Sequence, residues 1–296
     1  MVLNKINRNT YYIDNSTNIG VYTFKNKNCL LIDTGINNGQ ARRADNVLSE
    51  NGLHPKYIIN THNHLDHCGG NIYFQTTYPG IEVYASKKER IYIENPELRD
   101  IILFSAYPIK ELGTCKKTFT VDFIPDYGIN KIGDEKIEIV PLPGHSIEQI
   151  GVVTPDRVCF LGDSIFSENI IGKYSLPYLF NIEKSIETLN NLKEIDADYF
   201  LISHIDRVIN KDELIKLVDL NISNINKNIE MILEILGEPQ TKESLLQSII
   251  ILNDLPLNFN QYYIYFSSVS AFISYLSDKN QIAHSIENGE VYYYCK

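Results

Sequence analysis

The chain has 296 residues, 44% of them hydrophobic, and a formal net charge of −10, which suffices for one large core or a core plus a small second domain. No stretch approaches the roughly 18 uninterrupted apolar residues of a membrane span, and an acidic surface repels phosphate, so neither membranes nor nucleic acids are expected partners. Residues 1–8 hold no long apolar stretch or small-residue cleavage site, and the five cysteines are scattered and odd in number, so reduced thiols and a cytoplasmic location are expected.

In chain order, residues 18–24 and 29–33 read as strands of a hairpin joined by the polar turn 25–28. Helical spacing follows over 40–51, ending at Gly52, and residues 57–60 have the β-branched content of a buried strand. Residues 72–78 predict a helix, 81–85 a strand and 87–94 another helix. The charged runs Lys87-Lys88-Glu89-Arg90 and Lys116-Lys117 read as solvated faces. Between 87 and 126 the pattern weakens around Pro96, Pro108 and Pro125, and the apolar stretch 101–107 fits either a strand or a helix. Such a long irregular segment suits a lid over a site. Strands return at 136–140, 150–153, 158–161 and 199–202, with a helix at 182–192. After about residue 206 come helices at 212–236, 242–252 and 267–276, then a hairpin over 282–295 turning at Asn288-Gly289. Helices closed by a hairpin suggest a small winged-helix-like unit over residues 211–296, beside a catalytic domain over 1–210. Residues 211–296 carry six Lys, no Arg and 11 Asp plus Glu, so that unit is expected to serve packing or a homodimer contact rather than DNA recognition.

The chemistry concentrates after the strand at 57–60, in Thr61-His62-Asn63-His64-Leu65-Asp66-His67-Cys68-Gly69-Gly70. Three of the chain's seven His fall within six positions. Imidazole nitrogens and a carboxylate oxygen are the ligands that borderline divalent ions such as zinc, manganese and iron accept. In an extended segment His62, His64 and Asp66 share one side and His67 points elsewhere, so one loop can address two centres. Cys68 reads as a small packing residue. Three further candidates each follow a predicted strand: His145 in Pro-Gly-His-Ser, Asp163 in Gly-Asp-Ser and His204 in Ser-His. Repetition across four strand ends marks a site.

At these positions the sequence resembles the metallo-β-lactamase superfamily, with His62-x-His64-x-Asp66-His67 as its signature, Asp33 in Leu-Ile-Asp-Thr-Gly as its first motif, and His145, Asp163 and His204 as its later ones. The resemblance implies an α/β fold, a four-layer αββα sandwich with two sheets packed face to face, here followed by the small C-terminal helical region. It implies two divalent metal ions, zinc first and iron or manganese otherwise: His62, His64 and His145 would hold one, Asp66, His67 and His204 the other, and Asp163 would bridge them. A bridging hydroxide would then be the nucleophile, with Asp66 and Asp163 as the catalytic carboxylates. Asp33, Thr61 and Ser146 are expected to orient ligands, and Lys173, Tyr174 and Tyr178 to touch substrate. Class B1 β-lactamases have Cys where this chain has Asp163, and the set is closer to glyoxalase II and to lactonases, although the latter carry a Tyr where this chain has Phe166. The implied activity is hydrolysis of a small-molecule thioester, ester or lactone, with a phosphodiesterase or nuclease of the same superfamily, a flavodiiron-type redox protein or a non-catalytic metal-binding module as alternatives.

Overall fold

The computed structural model describes residues 1–112 and 119–296; Cys115 and the Lys116-Lys117 pair lie outside the described residues. The first sheet contains β1 (Leu3–Asn7), β2 (Thr10–Ile13), β3 (Ile19–Thr23), β4 (Asn28–Ile32), β5 (His54–Ile59) and β6 (Glu82–Tyr84), ordered as in sequence. Its first three pairings are antiparallel and its last two parallel. Helices α1 (Asn38–Glu50), α2 (Leu65–Cys68) and α3 (Asn71–Thr77) connect β4 to β6, and α4 (Lys87–Glu94) and α5 (Glu97–Phe104) follow. The second sheet runs β12-β11-β10-β9-β8-β7, from β7 (Gly128–Ile132), β8 (Glu135–Pro141), β9 (Ile150–Val153), β10 (Val158–Phe160), β11 (Tyr199–Leu201) and β12 (Ile209–Asn210). Helices α6 (Glu168–Tyr174) and α7 (Ile182–Asn191) separate β10 from β11, and α8 (Lys211–Ile235), α9 (Lys242–Leu252), α10 (Phe259–Asp278) and the hairpin β13 (Ile282–Glu287) and β14 (Glu290–Cys295) complete the chain.

Period-2 geometry explains why the central strands are apolar throughout: both faces are covered. In β4, Leu30 and Ile32 meet Ile137, Ile139 and Val152 in the core between the sheets, while Cys29 and Leu31 meet Ala41, Ala44 and Leu48 of α1. In β10, Val158 and Phe160 face the inter-sheet core and Cys159 faces the outer helices. The result is the αββα layering. The sheets approach closely at Gly20, where an added Cβ would stand 2.5 Å from the Phe160 ring.

The second outer core runs without a break from Leu142 through Phe200 to Leu214, Leu246, Phe272 and Ile282, so the C-terminal helices pack on the second sheet as its outer layer. The Asn210 side chain accepts from the Glu213 N–H while the Glu213 carboxylate accepts from the Asn210 N–H, a reciprocal pair that starts α8. The three C-terminal helices and the hairpin occur where the sequence places them, although α10 begins eight residues before the expected start at 267. Among the described residues no helix is long and apolar enough to cross a membrane.

Two local expectations change. Of the ambiguous stretch 101–107, residues 101–104 are the last turn of a helix, α5, and the chain leaves it at Ser105 in a left-handed conformation (φ 58°). The ligand loop bends at residues 61–63, His64 is extended (ψ 146°), and the chain turns helical at Leu65. Asp66 therefore leaves the side of His62 and His64 and joins His67.

Candidate metal centre

Strands β4, β5 and β6 are mutually parallel, and β8, β10 and β11 share a direction in the other sheet, so their carboxyl ends lie at one edge of the sandwich. The edges are tied together by Ile150 N–H to Thr61 O (3.0 Å) and Asn18 N–H to Ser203 O (2.8 Å). Every candidate ligand sits just past one of these ends. The ligand loop turns back against the β4–α1 connection through Gly69 and Gly70, where a Cβ would stand 2.1 Å from Ile36 O and 2.3 Å from Thr34 O. Only glycine fits there.

The seven side chains fall into two groups. His62, His64 and His145 form one, and Asp66, His67, Asp163 and His204 the other; within each, ligand atoms lie within 4.8 Å of one another. Asp163 reaches both, with Oδ2 3.6 Å from His145 Nε2 and 3.3 Å from His204 Nε2, and Oδ1 3.4 Å from His67 Nε2.

Each of four imidazoles is fixed through Nδ1. His67 Nδ1 is 2.7 Å from Asp33 Oδ2, His145 Nδ1 3.0 Å from the Tyr178 carbonyl, and His204 Nδ1 2.7 Å from the Ser16 carbonyl. The Thr61 hydroxyl donates to Asp33 Oδ2 (2.8 Å) and therefore accepts from His62 Nδ1 (3.0 Å). Fixing Nδ1 as the donor leaves the Nε2 lone pair aimed inward, the arrangement that metal-binding imidazoles require. Asp33 holds this geometry from a left-handed backbone (φ 65°), a conformation that non-glycine residues keep only where surrounding bonds enforce it.

Electrostatics divides the two groups. Burial, reinforced by neighbouring imidazoles, holds His62 and His64 well below the usual imidazole range, and burial lowers His145 too. Each of the three is therefore a neutral imidazole with one ring nitrogen left as a lone pair. For His67 and His204 burial acts in the same direction, but the carboxylates of Asp66 and Asp163 outweigh it, with Asp33 helping at His67; His204 rises to about 10. Against their own burial, Asp66 and Asp163 stay ionised beside His67 and His204. The second group thus attracts positive charge. His62 Nε2, His67 Nε2 and Asp163 Oδ1 are buried without a hydrogen-bond partner, an arrangement that is costly unless a cation takes those lone pairs. The donor set of imidazoles and carboxylates fits divalent ions of the zinc, manganese and iron type.

The residues expected to orient ligands are all at the site: Asp33 and Thr61 as above, and Ser146, whose Oγ donates to Glu89 Oε1 (2.6 Å). Glu89 itself is a correction. Its place in a Lys-Lys-Glu-Arg run suggests a solvated face, yet it is completely buried. Oε2 accepts from the N–H and side-chain amide of Asn63, between His62 and His64, while Oε1 accepts from Ser146 and from Glu148 N–H (2.8 Å). Ser86-x-x-Glu89 has the spacing of a capping box, but the Ser86 hydroxyl donates to the Glu148 carbonyl instead, so the local pattern conceals a bond to the site. Thr17, which donates to Asp66 Oδ2 (2.9 Å), carries no motif signal either.

A cavity of about 270 Å³ adjoins His64, Asp66 and His145. Tyr178 lines it, its ring 5.4 Å from that of His64 and 5.5 Å from that of His145. Lys173 and Tyr174 do not line it; the Lys173 ammonium lies over the Tyr174 ring at 4.7 Å, and Tyr174 packs on the outer core.

A family model described as Metallo-beta-lactamase superfamily matches residues 12–204. A hydroxyacylglutathione hydrolase of Haemophilus influenzae is 30% identical over 159 residues, covering 51% of this chain and 67% of its own. Another from Prochlorococcus marinus is 30% identical over 147 residues, 48% of each chain, so this chain spans only about half of that relative. The crystal structure of a metallo-beta-lactamase family protein from Thermus thermophilus shares the fold with a TM-score of 0.75, at 17% identity, over 97% of this chain and 99% of its own. These relationships point to a metal-dependent hydrolase.

Proposed function

The chain belongs to the metallo-beta-lactamase superfamily, and from that premise we propose that it is a dinuclear metal-dependent hydrolase of a small thioester, ester or lactone. The observation that carries this reading is Asp163, whose two oxygens reach both groups of candidate ligands. His62, His64 and His145 would hold one ion, Asp66, His67 and His204 the second, and Asp163 would join them. Zinc suits the donor set first, with iron and manganese as alternatives. Two such ions supply Lewis acidity, activating a water at neutral pH and polarising the substrate's carbonyl oxygen.

The chain's own residues do the rest. Asp33, Thr61, Ser16 and the Tyr178 carbonyl fix the imidazole tautomers. Asp66, about a third exposed and lining the cavity, is placed to accept a proton there. Tyr178 walls the site beside His64 and His145 and so excludes water from that side. The relatives named hydroxyacylglutathione hydrolase support the thioester class.

The test combines metal analysis with hydrolysis of a panel of thioesters, esters and lactones. About two ions per chain and loss of hydrolysis in H62A and D163A are expected. Undiminished turnover in either variant would sink the proposal.

A further inference from the structure

The cavity beside the candidate metal ligands has a one-sided chemistry. Tyr92 of α4, Ile102 and Leu103 of α5, Ile147, Phe180 and Ile264 of α10 supply walls that are almost wholly apolar. Two of them, Ile102 (42%) and Phe180 (38%), are left substantially exposed, so apolar surface remains that a ligand would cover. Among the described lining residues Arg99 is the one permanent cation, and it is committed to the wall. Its Nη1 donates to the Asn63 carbonyl (3.0 Å), its Nε lies 3.7 Å from Asp100 Oδ1, and its Nη2 is buried out of reach of solvent without a hydrogen-bond partner. The guanidinium steadies the ligand loop. A substrate carboxylate placed here would meet Asp66, and the one unpartnered guanidinium nitrogen is closed off from the cavity; burying an unpaired charge is costly.

We infer that this cavity selects a neutral, apolar acyl group joined directly to the carbonyl that is cleaved, so the preferred substrates are thioesters or esters of medium-length aliphatic or aromatic acids. The inference rests on the hydrolase reading above and narrows it. A volume of about 270 Å³ equals the liquid volume of about nine waters, which is ample for a chain of several carbons and excessive for an acetyl group. The hydroxyacylglutathione of the relatives' name pairs a polar acyl group with a charged peptide thiol, and the apolar wall favours neither. It also gives the C-terminal region a task. Helix α10 is held against α5 by the Phe104 and Tyr263 rings, 5.2 Å apart, and presents Ile264 to the cavity.

The experiment uses the zinc-loaded full chain and one small neutral thiol esterified with acetyl, butanoyl, hexanoyl and succinyl groups. Each buried methylene is expected to raise kcat/KM by up to roughly 4-fold until the cavity is full. Succinyl should fall at least roughly 10-fold below butanoyl, which has the same carbon count, because its carboxylate has no partner. I264N should lower the hexanoyl-to-acetyl ratio. A binding measurement runs in parallel on the metal-free chain: hexanamide should bind measurably more tightly than acetamide, and I264N should narrow that gap. A flat series, or one led by succinyl, overturns the inference and leaves the hydrolase reading standing. Chain-length-dependent amide binding with no turnover of any thioester, ester or lactone supports the cavity assignment and overturns the hydrolase reading instead.

Discussion

His145 Nε2 lies 3.0 Å from His64 Nδ1, while His145 Nδ1 is given to the Tyr178 carbonyl. Both imidazoles are neutral, held below their usual range of protonation, so at most one proton lies between these nitrogens, and with His64 protonated at Nε2 both turn lone pairs to one small volume. A cation there takes both. Chelation is therefore expected to destabilise the protein. One ion present at a hundred times its Kd adds about 2.7 kcal/mol, equivalent to about 4 °C in Tm for a chain of this length. Thermal melts with and without chelator, followed by zinc add-back, check this; a Tm indifferent to both would refute a metal in this group.

Asp33 offers a selective lesion. Its Oδ2 receives His67 Nδ1 and the Thr61 hydroxyl, and its Oδ1 the Thr61 N–H (2.8 Å). Asparagine tolerates the left-handed backbone that Asp33 adopts but replaces one acceptor with a donor, so D33N should free His67 to take the wrong tautomer. The expected outcome is a roughly 10- to 100-fold weaker affinity for the ion of the second group, with the first group less affected. Stepwise zinc titration reads the two affinities, and equal weakening of both would contradict the assignment.

Glu89 predicts the opposite pattern. Its four accepted hydrogen bonds join Asn63, between two ligands of the first group, to Ser146, beside the third. E89Q leaves buried donors facing an amide NH2, which should cost about 2–4 kcal/mol. Denaturant melts measure that loss. Zinc affinity should fall more in the first group than in the second, and a stability loss without that asymmetry would reduce Glu89 to a packing residue.

The contrast between Glu89 and the ligands shows what the sequence makes legible. His62, His64 and His67 announce themselves because rare residue types crowd into one loop, and His145, Asp163 and His204 repeat the same placement after strands. Glu89 is chemically ordinary; only the direction in which β6 delivers α4 turns it inward, and that is a tertiary fact. Asp66 misleads a period-2 reading because the backbone passes from extended at His64 to helical at Leu65. Strands β1 and β7 escape detection for a related reason: LNKIN has no fully buried residue, and in GINKI the apolar Ile129 lies on the exposed face while Ile132 lies in the core, so neither sequence alternates apolar with polar residues. The helix α5 is ambiguous locally because its apolar residues line the cavity as well as pack, which blurs the helical stripe.

Gly20 and Phe160 test whether the inter-sheet contact, which brings the ligands of both sheets to one edge, is as tight as its geometry implies. A Cβ at Gly20 would lie 2.5, 2.7 and 2.9 Å from three carbons of the Phe160 ring, far inside van der Waals contact. Gly20 sits in β3, paired to β4 that leads to Asp33, and Phe160 lies three residues before Asp163. G20A should therefore cost about 1–3 kcal/mol through overpacking and displace both sides of the site. Because the obstacle is a side chain, F160L should restore much of the loss, giving a favourable coupling of at least roughly 0.5 kcal/mol in a double-mutant cycle. At Gly69 the obstacles are the backbone oxygens of Ile36 and Leu65, so G69A should destabilise more and resist rescue by any single side-chain reduction. Urea denaturation of the three single variants and the double variant decides between these outcomes, and additive effects of G20A and F160L would show that the sheets are not in contact there.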